Sequence, residues 1–136
     1  MATPDDTGET VHPHMLRVLL VDDNKDQADS LAQLLTGWGH EVRVAYDGLT
    51  ALEAAQAYQP NVAMIDLGLP GIDGYQLALR LRREPALKDT KLIAVTGAVW
   101  QDASARSTQY GFDDHFAKPV DLDRLRTLLS NMCPGS

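Results

Sequence analysis

Asn61-Val62-Ala63-Met64-Ile65-Asp66-Leu67-Gly68-Leu69-Pro70-Gly71-Ile72-Asp73-Gly74 is the stretch that decides the fold. It opens with an apolar run that does not alternate, bounded by turn residues. That is the pattern of a short strand buried on both faces, as in a parallel sheet. The run ends in a carboxylate, Asp66, which is costly beside apolar residues unless something pairs with it. A Pro-Gly-Ile-Asp-Gly loop follows, with Asp73 placed to cap a helix from Gly74 to Arg83 whose apolar face is Leu77, Ala78 and Leu81.

Working outward, three other segments end the same way. Leu16–Val21 runs into Asp22-Asp23, Lys91–Val95 into Thr96-Gly97, and Asp114–Ala117 into Lys118-Pro119. Glu41–Ala45 reads as a further short strand. A helix is expected from about Asp26 to Thr36, with Ala28, Leu31, Leu34 and Leu35 at helical spacing. Gly37 should end it, with the turn continuing to Gly39. Gly48 to Tyr58 is an Ala-rich helix closed before Pro60. Glu84-Pro85 breaks the third helix. Val99 to Tyr110 has the weakest helical pattern, with Ser104, Ser107 and Thr108 and few large apolar residues. Asp121 can cap a last helix with the stripe Leu122, Leu125, Leu129 and Met132.

Alternating strands and helices with short connections imply a parallel sheet covered on both faces. The expected architecture is a flavodoxin-like (βα)5 three-layer α/β sandwich with strand order 2-1-3-4-5 and right-handed crossovers. Its switch point lies between the first and third strands. That places Asp22 and Asp23 beside Asp66 at the carboxyl edge of the sheet, where open α/β sheets bind ligands.

The bulk properties fit one domain. The 136 residues suffice for a single core and are 44% hydrophobic. Residues 15–133 are expected to form the domain, with 1–14 a polar tail, rich in Thr, Pro, Asp and Gly, and 134–136 a short C-terminal tail. His12 and His14 flank Pro13 and read as solvated tail residues. A net charge of −7 argues against nonspecific nucleic-acid binding. The one cysteine, Cys133, excludes an intramolecular disulfide and a Cys-rich metal site, and a reduced cytoplasmic setting is expected. No apolar run approaches the roughly 18 residues of a membrane span, and the N-terminal stretch does not read as a secretory signal.

Three aspartates converging on one edge would repel, and a hard divalent cation resolves the repulsion. Oxygen ligands suit Mg²⁺, which keeps several waters and takes one or two carboxylates with a phosphoryl oxygen. Asp23 and Asp66 are the expected direct ligands, Asp22 acts through water, and the Gly68 backbone carbonyl supplies a further oxygen. Asp66 reads in two ways: a metal ligand alone, or also a nucleophile that becomes an acyl phosphate. Lys118 would supply a second cation opposite the metal, and Thr96 a hydroxyl for a phosphoryl oxygen. Taken singly, Lys118 reads as a surface lysine, Thr96 as a strand-end residue, and Asp22 and Asp23 as helix-capping loop residues. It is their matching places at strand ends that argue for a site.

Val18-Leu19-Leu20-Val21-Asp22-Asp23, the segment Met64 to Gly74, Val95-Thr96-Gly97 and His115-Phe116-Ala117-Lys118-Pro119 together resemble a response-regulator receiver domain of two-component signalling, over about residues 15–132. The stretches around Thr96-Gly97 and Gly111–Asp121 are similar to receivers of hybrid sensor histidine kinases. The resemblance implies that Asp66 is the phosphoacceptor, that Asp22 and Asp23 form the acidic metal pocket, and that Thr96 and Lys118 are the readout pair. It implies a cis bond between Lys118 and Pro119. It also implies a phosphohistidine donor, on a histidine kinase or a histidine phosphotransfer domain. The output face would comprise the fourth helix, fifth strand and fifth helix, offered to a homodimer partner or a downstream protein. No nucleic acid or membrane partner is expected, and no output domain is recognisable in the sequence.

One position departs from the family pattern. His115 stands three residues before Lys118, where members usually carry a switch Tyr or Phe. It reads either as a passive half-exposed strand residue or as a titratable switch. Trp100 is expected to be partly exposed. Two other classes fit less well. A Mg²⁺-dependent phosphohydrolase of the haloacid-dehalogenase kind wants a second aspartate two residues after the first, where Gly68 stands. A flavin-binding protein of flavodoxin type wants a phosphate loop after the first strand, where Asp22-Asp23-Asn24 would repel phosphate. The expected role is a phosphoacceptor signalling domain, not an enzyme with a turned-over substrate.

Overall fold

The computed structural model of the chain describes residues 15–68, 74–97 and 109–132. Five strands, β1 (Arg17–Val21), β2 (Glu41–Ala45), β3 (Val62–Asp66), β4 (Lys91–Thr96) and β5 (Asp114–Ala117), form a parallel sheet in the order β2-β1-β3-β4-β5. This is the expected 2-1-3-4-5 order. The helices are α1 (Lys25–Gly37), α2 (Gly48–Tyr58), α3 (Gly74–Arg82) and a C-terminal helix (Leu122–Met132), with a short 3-10 turn at Pro85–Leu87. The expected fourth helix falls, over residues 99–108, outside the described residues. Asp73 and Trp100 lie outside them too, as do residues 1–14 and Cys133.

Strands β1, β3 and β4 read as continuous apolar runs because both faces of the sheet are covered there. In β1, Leu19 and Val21 pack with Ala63, Ile65, Leu77, Ala78 and Leu81 on the face carrying α2 and α3. Val18 and Leu20 point the other way, into a second core with Val62, Met64, Ile93, Phe116, Leu35, Leu125 and Leu129, under α1 and the C-terminal helix. The whole expected face of α3 is buried.

Three local expectations shift. Helix α1 begins at Lys25 because Asn24 is its N-cap, with its side chain accepting from the Gln27 N–H at 3.1 Å. Gly37 belongs to the helix, Trp38 caps it, and the positive φ of 101° falls on Gly39. In the C-terminal helix, Leu125 and Leu129 are buried, but Leu122 is 43% exposed. The buried stripe therefore starts one turn later than expected, and Leu122 instead lines a groove with Pro119 and Val120.

Candidate functional site

Strand register builds the site. Val21 pairs with Ile65, so Asp22 and Asp66 are the next residues on adjacent strands. Asp66 pairs with Val95, and Thr96 pairs with Ala117, immediately before Lys118. The carboxylates of Asp22, Asp23 and Asp66 each offer a ligand atom, and these atoms lie within 4.8 Å of one another. Lys118 reaches back across the strand ends, its stem passing near Gly97. Its Nζ donates to Asp22 Oδ2 and to Asp66 Oδ2, both at 3.2 Å, and to Gln27 Oε1 at 3.0 Å. The Lys118–Pro119 peptide is cis, as the resemblance implies.

Backbone groups fix the two inner carboxylates. Asp22 Oδ1 accepts from Asn24 N–H at 2.9 Å, and Asp66 Oδ1 accepts from Gly68 N–H at 2.8 Å. Gly68 thus meets the site through its N–H. Asp23 is exposed and has no hydrogen-bond or ion-pair partner among the described residues.

The electrostatics are unbalanced. Three carboxylates face one ammonium, and two unit charges about 5 Å apart repel by about 3 kcal/mol at an effective dielectric near 20. Burial pushes the Asp22 carboxyl above the usual carboxylate range. The Asn24 N–H and Lys118 act against that push, while Asp66 adds to it. Burial alone would lower the Lys118 ammonium pKa, but Asp66 and Asp22 outweigh it and raise it. The donor set fits a hard divalent cation: all oxygen, anionic, and in excess of the positive charge present.

Thr96 and His115 lie on the opposite face of the sheet from Val95 and Phe116, which belong to the second core. Thr96 is buried. His115 is half-buried, and its Nε2 is buried without a hydrogen-bond partner among the described residues. The structure thus puts His115 and Thr96 on one face, and Asp22, Asp66 and Lys118 together in a groove with Leu20, Met64 and Val95. That groove, about 480 Å³, continues between α1 and the start of the C-terminal helix, past Gln27, Leu31, Leu34, Val120 and Leu122.

One residue at the site escaped the sequence reading, and a second, Gly74, gains a physical reason. Gln27 touches Lys118, and its only sequence signal is its place three residues after Asn24, the spacing of a capping box. Gly74 opens α3 against the end of β3. A Cβ there would stand 2.7 Å from the Asp66 carbonyl oxygen and 2.8 Å from Leu67 Cα, so only glycine permits this approach.

Among known proteins, the response regulator receiver domain family matches residues 18–130. The chain is 32% identical over 119 residues to the DNA-binding dual master transcriptional regulator RpaA of Synechocystis, covering 85% of this chain and 49% of that protein. It is 36% identical over 120 residues to the virulence sensor protein BvgS of Bordetella pertussis, covering 85% of this chain and 10% of that protein. The chain therefore spans half or less of the length of these relatives. The signal receiver domain of a DNA-binding response regulator from Colwellia psychrerythraea superposes with a TM-score of 0.80 at 29% identity, covering 85% of this chain and 96% of that one. Motif order, strand order and coverage agree, and the chain belongs to the response regulator receiver domain family.

Proposed function

We propose that this chain is a phosphoacceptor switch in which Asp66 takes a phosphoryl group from a phosphohistidine donor. The observation that carries this reading is the Lys118 ammonium, 3.2 Å from both Asp22 and Asp66 at the edge of a three-carboxylate cluster. In the transfer, an Asp66 oxygen bonds to phosphorus while the donor's N–P bond breaks, and the released imidazole takes up a proton. Gly68 N–H and Lys118 fix the two Asp66 oxygens beforehand, so little reorganisation precedes attack. Lys118 meets the charge on the transferred oxygens, and the Thr96 hydroxyl donates to one of them.

Mg²⁺ is the fitting cation: Asp23 and Asp66 would hold it directly, Asp22 through water, with the Gly68 carbonyl as a further oxygen. Its charge would offset the repulsion between the carboxylates and the incoming phosphoryl group.

The donor belongs to a histidine kinase or a histidine phosphotransfer domain. The groove between α1 and the C-terminal helix supports this, because its apolar walls end at Asp66 and suit a helix carrying the donor histidine. The response passes through Thr96 and His115 to the surface of β5, the C-terminal helix and the segment before β5. That surface would meet a second copy or a downstream protein. We place the reaction in the cytoplasm, the reduced setting that a single cysteine suits; among the described residues no helix is long and apolar enough to cross a membrane.

The test uses Mg²⁺ with acetyl phosphate or phosphoramidate and intact mass measurement. Wild type should gain one phosphoryl group, and Asp66→Ala none. Labelling of Asp66→Ala at the wild-type rate would overturn the assignment.

A further inference from the structure

We propose that Tyr46 is a positioning residue for the cation pocket: it pins the first turn of α1 and thereby sets where Asp23 stands. The inference rests on the reading above of Asp22, Asp23 and Asp66 as the Mg²⁺ pocket.

Asp23 is the carboxylate with the least support. It is exposed, and it has no hydrogen-bond or ion-pair partner among the described residues. Its backbone alone places it. On one side, Asp22 N–H donates to Ala45 O at the end of β2, at 3.1 Å. On the other side, Asn24 caps α1. Residues 23–27 are all exposed, and Ala28 is the first buried residue of α1. Core packing therefore does not reach the first turn of this helix.

Tyr46, the residue after Ala45, reaches that turn from the side. Its hydroxyl donates to Asp29 Oδ1 at 2.8 Å, and Lys25 Nζ lies 5.3 Å from the centre of its ring. Lys25 and Asp29 are four residues apart and so share one face of α1. One tyrosine thus engages two successive turns, and its hydroxyl bond goes to a carboxylate, the stronger kind. Gln27, two residues on from Lys25, projects from the opposite side of the helix and meets Lys118 there. The end of β2 consequently holds the chain on both sides of Asp23, through Ala45 O before it and Tyr46 after it.

This matters for Mg²⁺, which demands near-ideal octahedral geometry. A ligand on an unpinned turn is in place only part of the time, and the apparent affinity falls by that fraction.

The test measures Mg²⁺ binding to the full chain by calorimetry. Tyr46→Phe keeps the ring under Lys25 and loses only the bond to Asp29. It should bind Mg²⁺ about two- to tenfold more weakly, the range set by one net hydrogen bond. Asp29→Ala removes the other partner, and adding Tyr46→Phe to it should bring no further loss, because both changes act through one bond. Labelling of Asp66 by acetyl phosphate is the second readout. Tyr46→Phe should label slowly at Mg²⁺ near the wild-type Kd and match wild type once Mg²⁺ saturates. An affinity loss of less than about twofold would leave the contact a fold-stabilising one and overturn the inference. So would a Tyr46→Phe loss that persists undiminished in the Asp29→Ala background, or slow labelling that saturating Mg²⁺ does not restore. Wild type that binds Mg²⁺ but takes no label would sink the phosphoacceptor reading, while the affinity comparison still decides this inference. Wild type that binds no Mg²⁺ would sink the pocket and this inference with it.

Discussion

Asp23→Asn should make the protein more stable without Mg²⁺ and less stable with it. Asp23 is exposed, unpartnered among the described residues, and has carboxylate neighbours within 4.8 Å in Asp22 and Asp66. Substitution to the isosteric amide removes its charge with no structural bond to break. At 4.8 Å each like-charge pair is worth about 1 kcal/mol even at the dielectric of bulk water. With a Debye length of about 8 Å at physiological salt, screening roughly halves that. The net gain in EDTA is then on the order of 1 kcal/mol, or roughly 3–6 °C in Tm for a domain of this size. Mg²⁺ at a hundred times its wild-type Kd should stabilise wild type by about 2.7 kcal/mol, and a variant binding a hundredfold more weakly by only about 0.4 kcal/mol, because it has lost an anionic ligand. Urea melts with EDTA and with saturating Mg²⁺ would show the two stability orders crossing. A variant less stable in EDTA, or one stabilised by Mg²⁺ as strongly as wild type, would refute the idea that the acidic cluster is strained for the sake of a cation.

Two further outcomes test the frame around the site. Gly74→Ala should cost about 1–3 kcal/mol in urea melts, because the new methyl would overlap the backbone at Asp66 and Leu67 and force α3 away from β3. It should also slow phosphorylation of Asp66. Stability within 0.5 kcal/mol of wild type would show that the helix start relaxes freely. His40 is buried, its Nδ1 accepts the Leu16 N–H at 3.1 Å, and burial lowers its pKa below the ordinary value of 6.5. The unfolded chain therefore binds the extra proton first as pH falls. This contribution is complete well above pH 6.5, is lost as pH drops through 6.5 toward the lowered value, and levels off below that. His40→Asn, which can keep the acceptor, should flatten that part of the stability–pH curve; an unchanged slope would clear His40 as its source.

Most of the element pattern was legible because each cue is local. Strands covered on both faces must be apolar throughout, so β1, β3 and β4 announce themselves without tertiary information. Carboxylates, a hydroxyl and a lysine at the ends of such runs are chemically out of place, which marked Asp22, Asp23, Asp66, Thr96 and Lys118. Leu122 misled because helical spacing identifies an apolar stripe but not how far along the helix its cover extends. In the structure its first turn overhangs the groove rather than the core.

The sequence by itself determined the order of the five strands and of the four described helices, the strand-end placement of the charged groups and, through the resemblance, the family. Only the tertiary structure decided which atoms meet. The Lys118 contacts to Asp22 and Gln27 join residues 96 and 91 positions apart, and they exist because parallel register aligns the ends of four neighbouring strands within the reach of one lysine. The contact of Gln27 with Lys118, the close approach that requires Gly74, and the shared face of Thr96 and His115 are likewise properties of register and helix docking. No local propensity encodes them, since each arises from chain segments that meet only after the sheet has formed.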